Sequence, residues 1–348
     1  MQPYGYRPYT PYPPAPTPLD SQRQGLRRAG SFIGVGMLFL IAFSQFLYTA
    51  LVFGLMALGL IPADAIYDAS LGLGNTPYLL IYMSVYTVMM GVPMLLAGPI
   101  TRTPLRPFAA HKKVRPLLFL AAVVAGMAMC VVANLVANYM MSFFNALGIP
   151  NPAMPELLID TPVSLALNLF IFAVLPALLE EMVFRGCVLQ SLRPYGDRTA
   201  LWVSSLLFAL MHGNVLQVPF AFIVGLVLGY AVLRTNNIWL AVAIHFANNA
   251  MATLLDYAAL KTSPDNQNTL VVVVFAALGL IGMLILFILR ARNHPLTAGL
   301  PKNEGNVATS SQLGVLFTSP AFLISFILFI LLVLLNVATS VLQAGLSA

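Results

Sequence analysis

The chain has 348 residues, of which 59% are apolar and only 8% charged. Soluble domains carry about 25% charged residues, so a water-soluble fold is excluded and a polytopic membrane protein is implied. The net charge of +6 does not point to nucleic acid, because the basic residues fall in short loops between apolar segments, where they report topology. Cys130 and Cys187 both sit inside apolar segments without CxxC spacing, which leaves neither a disulfide frame nor a cysteine metal site.

In chain order, residues 1–28 read as a cytoplasmic tail, rich in Pro and Tyr over its first 20 residues (Tyr4, Tyr6, Tyr9 and Tyr12). Such a segment buries too little apolar surface to fold, and a solvated tail is a better reading than a docking site for a Pro-binding domain. Arg23, Arg27 and Arg28 then precede an apolar run from Ser31 to Ile61. This run is too long and starts too late for a signal peptide, despite Ala63-Asp64-Ala65 behind it, and is read as a retained span. Further spans are expected at 77–99, 116–146, 162–192, 199–212, 217–233, 237–260, 269–290 and 317–345. The stretches 199–212 and 217–233 are short and suggest a tilted pair joined at Gly213-Asn214.

The expected fold is therefore all-α, a polytopic transmembrane bundle of about eight to nine membrane helices. It divides into the tail (1–28), N-terminal membrane helices (29–158), a candidate catalytic core (159–260) and C-terminal membrane helices (261–348). With the N-terminus in the cytoplasm, the inner loops hold fifteen Lys and Arg residues, the outer loops only Lys261, and the ninth span ends outside. That describes a multi-pass protein of the cell membrane whose first partner is the lipid bilayer.

Three polar clusters interrupt the spans of the core: Glu180-Glu181 with Arg185, Phe208 with His212, and His245 with Asn249. Ionisable groups at membrane depth cost about 2.5–3.5 kcal/mol each and mark function by default. Residues four apart share a helix face, so Glu181 can pair with Arg185 and His245 can point where Asn249 points. Glu180 lies about 100° away from Glu181 and has no partner in its own segment, which makes it the freer carboxylate. Pro176, four residues earlier, is expected to kink the helix toward a cavity. A carboxylate, two imidazoles and an amide in low dielectric fit hydrolysis by an activated water. Glu180 with His212 would take the proton, and His245 and Asn249 would hold the oxyanion.

These residues also resemble a known family. Glu180-Glu181-Met182-Val183-Phe184-Arg185, Phe208-Ala209-Leu210-Met211-His212 and His245-Phe246-Ala247-Asn248-Asn249 look like the EExxxR, FxxxH and HxxxN/D motifs of the CAAX-protease and bacteriocin-processing (CPBP, Abi) intramembrane glutamate proteases. The eukaryotic Ras-converting prenyl-protein endopeptidases are members of that family. The resemblance covers residues 160–255. It implies an endopeptidase acting on a membrane-associated, CAAX-like peptide or protein, with Glu180 and His212 activating water, His245 and Asn249 in the oxyanion hole, Glu181 and Arg185 structural, and no required cofactor. Three other readings stay open. Glu180, Glu181, His212 and His245 could hold zinc, although no HExxH is present. A proton-coupled transporter would also bury such groups, and a non-proteolytic binding or immunity protein could keep the motif as structure.

Overall fold

A computed structural model describes residues 18–68, 70–105, 110–148, 159, 161–300 and 309–347. The Pro/Tyr-rich stretch up to residue 17, and Arg7, Arg106 and Lys302 of the topology count, lie outside the described residues. The described residues form ten helices and no strand. In order these are α1 (Pro18–Ala57), α2 (Asn75–Thr101), α3 (Pro116–Ala146), α4 (Pro162–Tyr195) and α5 (Asp197–Met211), then α6 (Gln217–Thr235), α7 (Ile238–Ala259), α8 (Pro264–Ala291), α9 (Thr309–Phe317) and α10 (Pro320–Ser347).

Eight of these helices are long and apolar enough to cross a bilayer. The fifth expected span is α5, whose 15 residues reach only about 22 Å against a hydrocarbon core of ~30 Å. α1 begins at Pro18, inside the segment read as tail, because Leu26 and Ala29 bury at 2% and 8% exposure and carry the helix onto the ring of Tyr195. Arg23, Arg27 and Arg28 thus stand on a helix. The last expected span is broken at Thr318-Ser319, and Pro320, which suits a first helical turn, opens α10.

Large side chains on the outer surface are apolar and exposed, among them Phe46, Leu117, Leu280 and Phe287, as a lipid-facing wall requires. Inside, association rests on close packing and polar contacts, since lipid is as apolar as a leucine side chain. The core runs through Phe32, Met94, Phe184, Phe208, Val232 and Phe329. With eight such helices this is a multi-pass integral membrane protein.

The loops carrying the basic residues meet at one end of the bundle. Arg193 donates to Asn236 Oδ1 at 2.6 Å, Lys112 N–H to Asn236 O at 2.8 Å and Ile238 N–H to Ala110 O at 2.7 Å. Arg290 donates to Thr297 O at 3.2 Å, Arg234 to Pro295 O at 2.8 Å and Gln312 to Tyr195 O at 2.9 Å. From this end, His245 is roughly 11 Å along α7 and Glu180 roughly 22 Å along α4 at 1.5 Å per residue, so both stand within the apolar length of their helices.

Candidate active site

The site is built on α4. Thr161 opens the helix with a capping box: its hydroxyl accepts from Ser164 N–H at 3.1 Å, and Ser164 Oγ accepts from Thr161 N–H at 3.0 Å. Two π turns, Phe170–Val174 and Met182–Val188, then bracket the glutamates. Such widened turns occur mostly as local bulges and often at functional sites. The helix runs on through Pro176, and the distortion expected from the proline takes the form of the π turn just before it. Pro176 cannot donate to Phe172 O four residues back. That carbonyl instead accepts Asn249 Nδ2 from α7 at 3.1 Å.

The two carboxylates face different helices. Glu181 is fully buried, and its Oε1 accepts Arg185 Nη1 at 2.9 Å and meets His245 Nδ1 at 2.9 Å. Arg185, also fully buried, donates through Nη2 to Gly225 O at 3.0 Å and stands 4.4 Å above the Phe208 ring. Gly225 eases that approach, because a Cβ at 225 would come within 3.1 Å of Ser205 Cα and push it by a few tenths of an ångström. Glu180, 6% exposed, turns toward α2, where Tyr86 Oη donates to its Oε1 at 2.5 Å. Glu180 Oε2 is buried, accepts no hydrogen bond from the described residues, and lies 3.9 Å from His245 Nε2.

His245 is therefore the group that joins the pair, with one ring nitrogen on each carboxylate. An ionised Glu181 can only accept, so the hydrogen on Nδ1 is fixed and Nε2 is the nitrogen left to face Glu180. His212 is half-buried, and its Nδ1 meets Phe208 O at 2.9 Å. A carbonyl also only accepts, so His212 Nε2 carries the lone pair of a neutral ring. Phe208 links the two histidines edge-on, with ring centres 5.2 Å from His212 and 5.9 Å from His245. α5 places His212 at its C-terminal end, where Gly213, at φ +66°, turns the chain and Asn214 Oδ1 accepts Leu216 N–H at 2.9 Å to start α6.

All six residues singled out from the sequence fall in this region. Glu180, Glu181, Arg185 and His245 form one contiguous polar cluster, Asn249 is tied to the backbone of α4, and His212 is joined to the cluster through the Phe208 ring. Tyr86 was missed, since it comes from outside the motif-bearing core. Its sequence signal is the spacing Tyr78, Tyr82, Tyr86, which puts one ring per turn on a single face of α2; the rings of Tyr82 and Tyr86 stack with centres 6.4 Å apart. Asn248, next to Asn249 on α7, donates through Nδ2 to Asn249 Oδ1 at 3.2 Å. A zinc site would need several ligands converging on one point. No group of three or more His, Cys, Asp or Glu side chains among the described residues is arranged to hold a metal ion.

No curated protein and no solved structure matches the chain significantly. A family model described as "Type II CAAX prenyl endopeptidase Rce1-like" matches residues 162–251, from the start of α4 to beyond Asn249 in α7. The match covers every residue of the site except Tyr86. Residues 162–251, with the three motifs inside them, are thus similar to the Rce1-like family of type II CAAX prenyl endopeptidases.

Proposed function

We propose that the protein is an intramembrane endopeptidase that hydrolyses a peptide bond of a membrane-associated, CAAX-like substrate with a water activated by Glu180. The observation that carries this reading is the asymmetry of Glu180: Tyr86 holds one oxygen, and the other faces His245 Nε2 across 3.9 Å. That gap is too long for a direct hydrogen bond, and widening it by about 1 Å would let a single water touch both groups. Glu180 takes a proton from this water as the oxygen attacks the carbonyl carbon, and delivers it to the departing amine. Arg185 cancels the charge of Glu181, so Glu180 carries the remaining carboxylate charge of the cluster. When His245 holds two ring protons, the cluster sums to zero and Nε2–H is a donor toward the developing oxyanion. Asn249, anchored by Phe172 O, supplies an amide on the same face of α7. His212 would assist through Nε2.

The reading is tested by incubating the purified protein in proteoliposomes with a prenylated CAAX-type peptide and following release of the C-terminal fragment by mass spectrometry. Release by the wild-type chain and none by Glu180→Gln supports it. Equal release by both, or none by either across a panel of membrane peptides, defeats it in favour of a binding protein that keeps the motif as structure.

Two further outcomes follow from the geometry. Tyr86→Phe removes one charge-assisted hydrogen bond, worth about 1.5–3 kcal/mol, and is expected to lower kcat about 10- to 100-fold with little change in KM. An unchanged kcat would show that Oε1 does not need holding. Glu180→Gln combined with His212→Ala should be no slower than Glu180→Gln alone, because both act on one water. Independent multiplication of the two losses in single-turnover rates would place His212 on a different step.

A further inference from the structure

We infer that the cavity next to Asn249 is a substrate subsite for an uncharged side chain bearing a hydrogen-bond donor, a refinement that rests on the endopeptidase reading. The cavity has a volume of about 310 Å³ and lies between α3, α6, α7 and α8. Asn134, Phe220, Asn248, Asn249 and Phe275 line it, and none of its described lining residues carries a formal charge. It thus shares Asn249 with the site while lying beyond the carboxylates.

Its polar character is set by a chain of amides whose direction is fixed. Phe172 O can only accept, so Asn249 presents Nδ2 there and turns Oδ1 toward Asn248. Asn249 Oδ1 can also only accept, so Asn248 presents its own Nδ2 at 3.2 Å. That leaves Asn248 Oδ1 as the end of the chain. Asn248 is 5% exposed, and this oxygen is buried with no hydrogen-bond partner among the described residues. A buried acceptor without a donor is costly, and Asn248 lines the cavity, so a donor entering there would reach this oxygen once the amide turns toward it.

The occupant that satisfies this site is a neutral side chain with an apolar body, to lie against Phe220 and Phe275, and an N–H or O–H at its tip: Thr, Asn, Gln, Tyr or Trp. A lysine or arginine would enter without a counter-charge, and an aliphatic side chain would leave Asn248 Oδ1 unpaired. Asn249 stands one helical turn from His245, so a side chain in this cavity belongs to a residue close to the scissile bond. Donation to Asn248 also orders the amide chain that ends on Phe172 O, linking occupancy of the subsite to the position of Asn249.

The test uses a membrane-anchored peptide library, randomised at the positions flanking the cleavage site. It is presented to full-length E180Q protein in proteoliposomes, and retained peptides are sequenced by mass spectrometry. At one flanking position, Thr should be retained over Val, Gln over Met and Tyr over Phe, each by about tenfold. E180Q/N248L should lose that discrimination. E180Q/A137F, which fills the cavity from α3, should lose it as well, so the outcome does not depend on how N248L folds. Equal retention within each pair, no retention at all, or discrimination that survives both substitutions would overturn the subsite; a lipid chain in the cavity would give the first of these results. Donor-selective retention without cleavage by the wild-type chain would sink the endopeptidase reading and leave the subsite standing. Cleavage without donor selection would do the reverse.

Discussion

Glu180→Gln is expected to abolish peptide-bond hydrolysis while the protein still inserts, purifies and unfolds as the wild type does. The amide keeps the shape of the carboxylate and can still accept the Tyr86 hydroxyl, so packing in the 6%-exposed site is preserved. What it cannot do is take a proton. General-base catalysis contributes about 10²–10⁴-fold, and here the same group must also deliver the proton to the leaving amine. The loss should therefore lie at or beyond the upper end of that range. Comparing kcat of the two proteins together with their thermal unfolding in detergent checks both halves. Turnover within tenfold of wild type would remove Glu180 from the chemistry.

The largest effect on stability is expected at Arg185. Its guanidinium is fully buried and holds Glu181, Gly225 O and the face of Phe208 at once. Arg185→Met leaves the Glu181 carboxylate buried without a compensating cation, a situation that costs about 3–5 kcal/mol. The double variant Glu181→Gln/Arg185→Met removes both charges and should recover much of that loss, because a neutral pair of similar volume avoids the desolvation of two ions. Midpoints of thermal unfolding for the single and double variants decide the matter. A double variant no more stable than the single would mean that Arg185 acts through packing on Phe208 and Gly225 and not through its charge.

The polar clusters were legible from the sequence because their spacing is local. Glu181 and Arg185 are four apart on one helix, and they pair as that spacing requires. The apolar runs were legible for the same reason, including the short 199–212 stretch that α5 occupies, while the helix ends and the break before Pro320 departed from them. Contacts between helices were not legible. Nothing in the order of residues says that α2 lies against α4, so Tyr86 could be suspected from its spacing with Tyr78 and Tyr82 but not assigned to Glu180. His245 was expected to act together with Asn249; its ring also bridges Glu181 and Glu180, which only the packing of α7 on α4 reveals. The π turns were equally hidden, since one extra residue in a turn changes neither composition nor hydropathy. Pro176 illustrates the boundary. The sequence announces a backbone carbonyl without its usual donor, and the fold decides that an asparagine from another helix takes that place.

The 15 residues of α5 have a consequence for the surrounding lipid. Trp202 and Leu206 are 56% and 37% exposed, which leaves apolar surface of this helix open to acyl tails. Those tails must pinch inward by roughly 8 Å beside it, at an elastic cost of a fraction of a kcal/mol per Å. Short-tailed lipids relieve that cost and long-tailed ones add to it. The thickness of the host membrane thus becomes a control on how firmly the His212 turn is held, and the protein should be more stable in vesicles of fourteen-carbon than of twenty-carbon phospholipids.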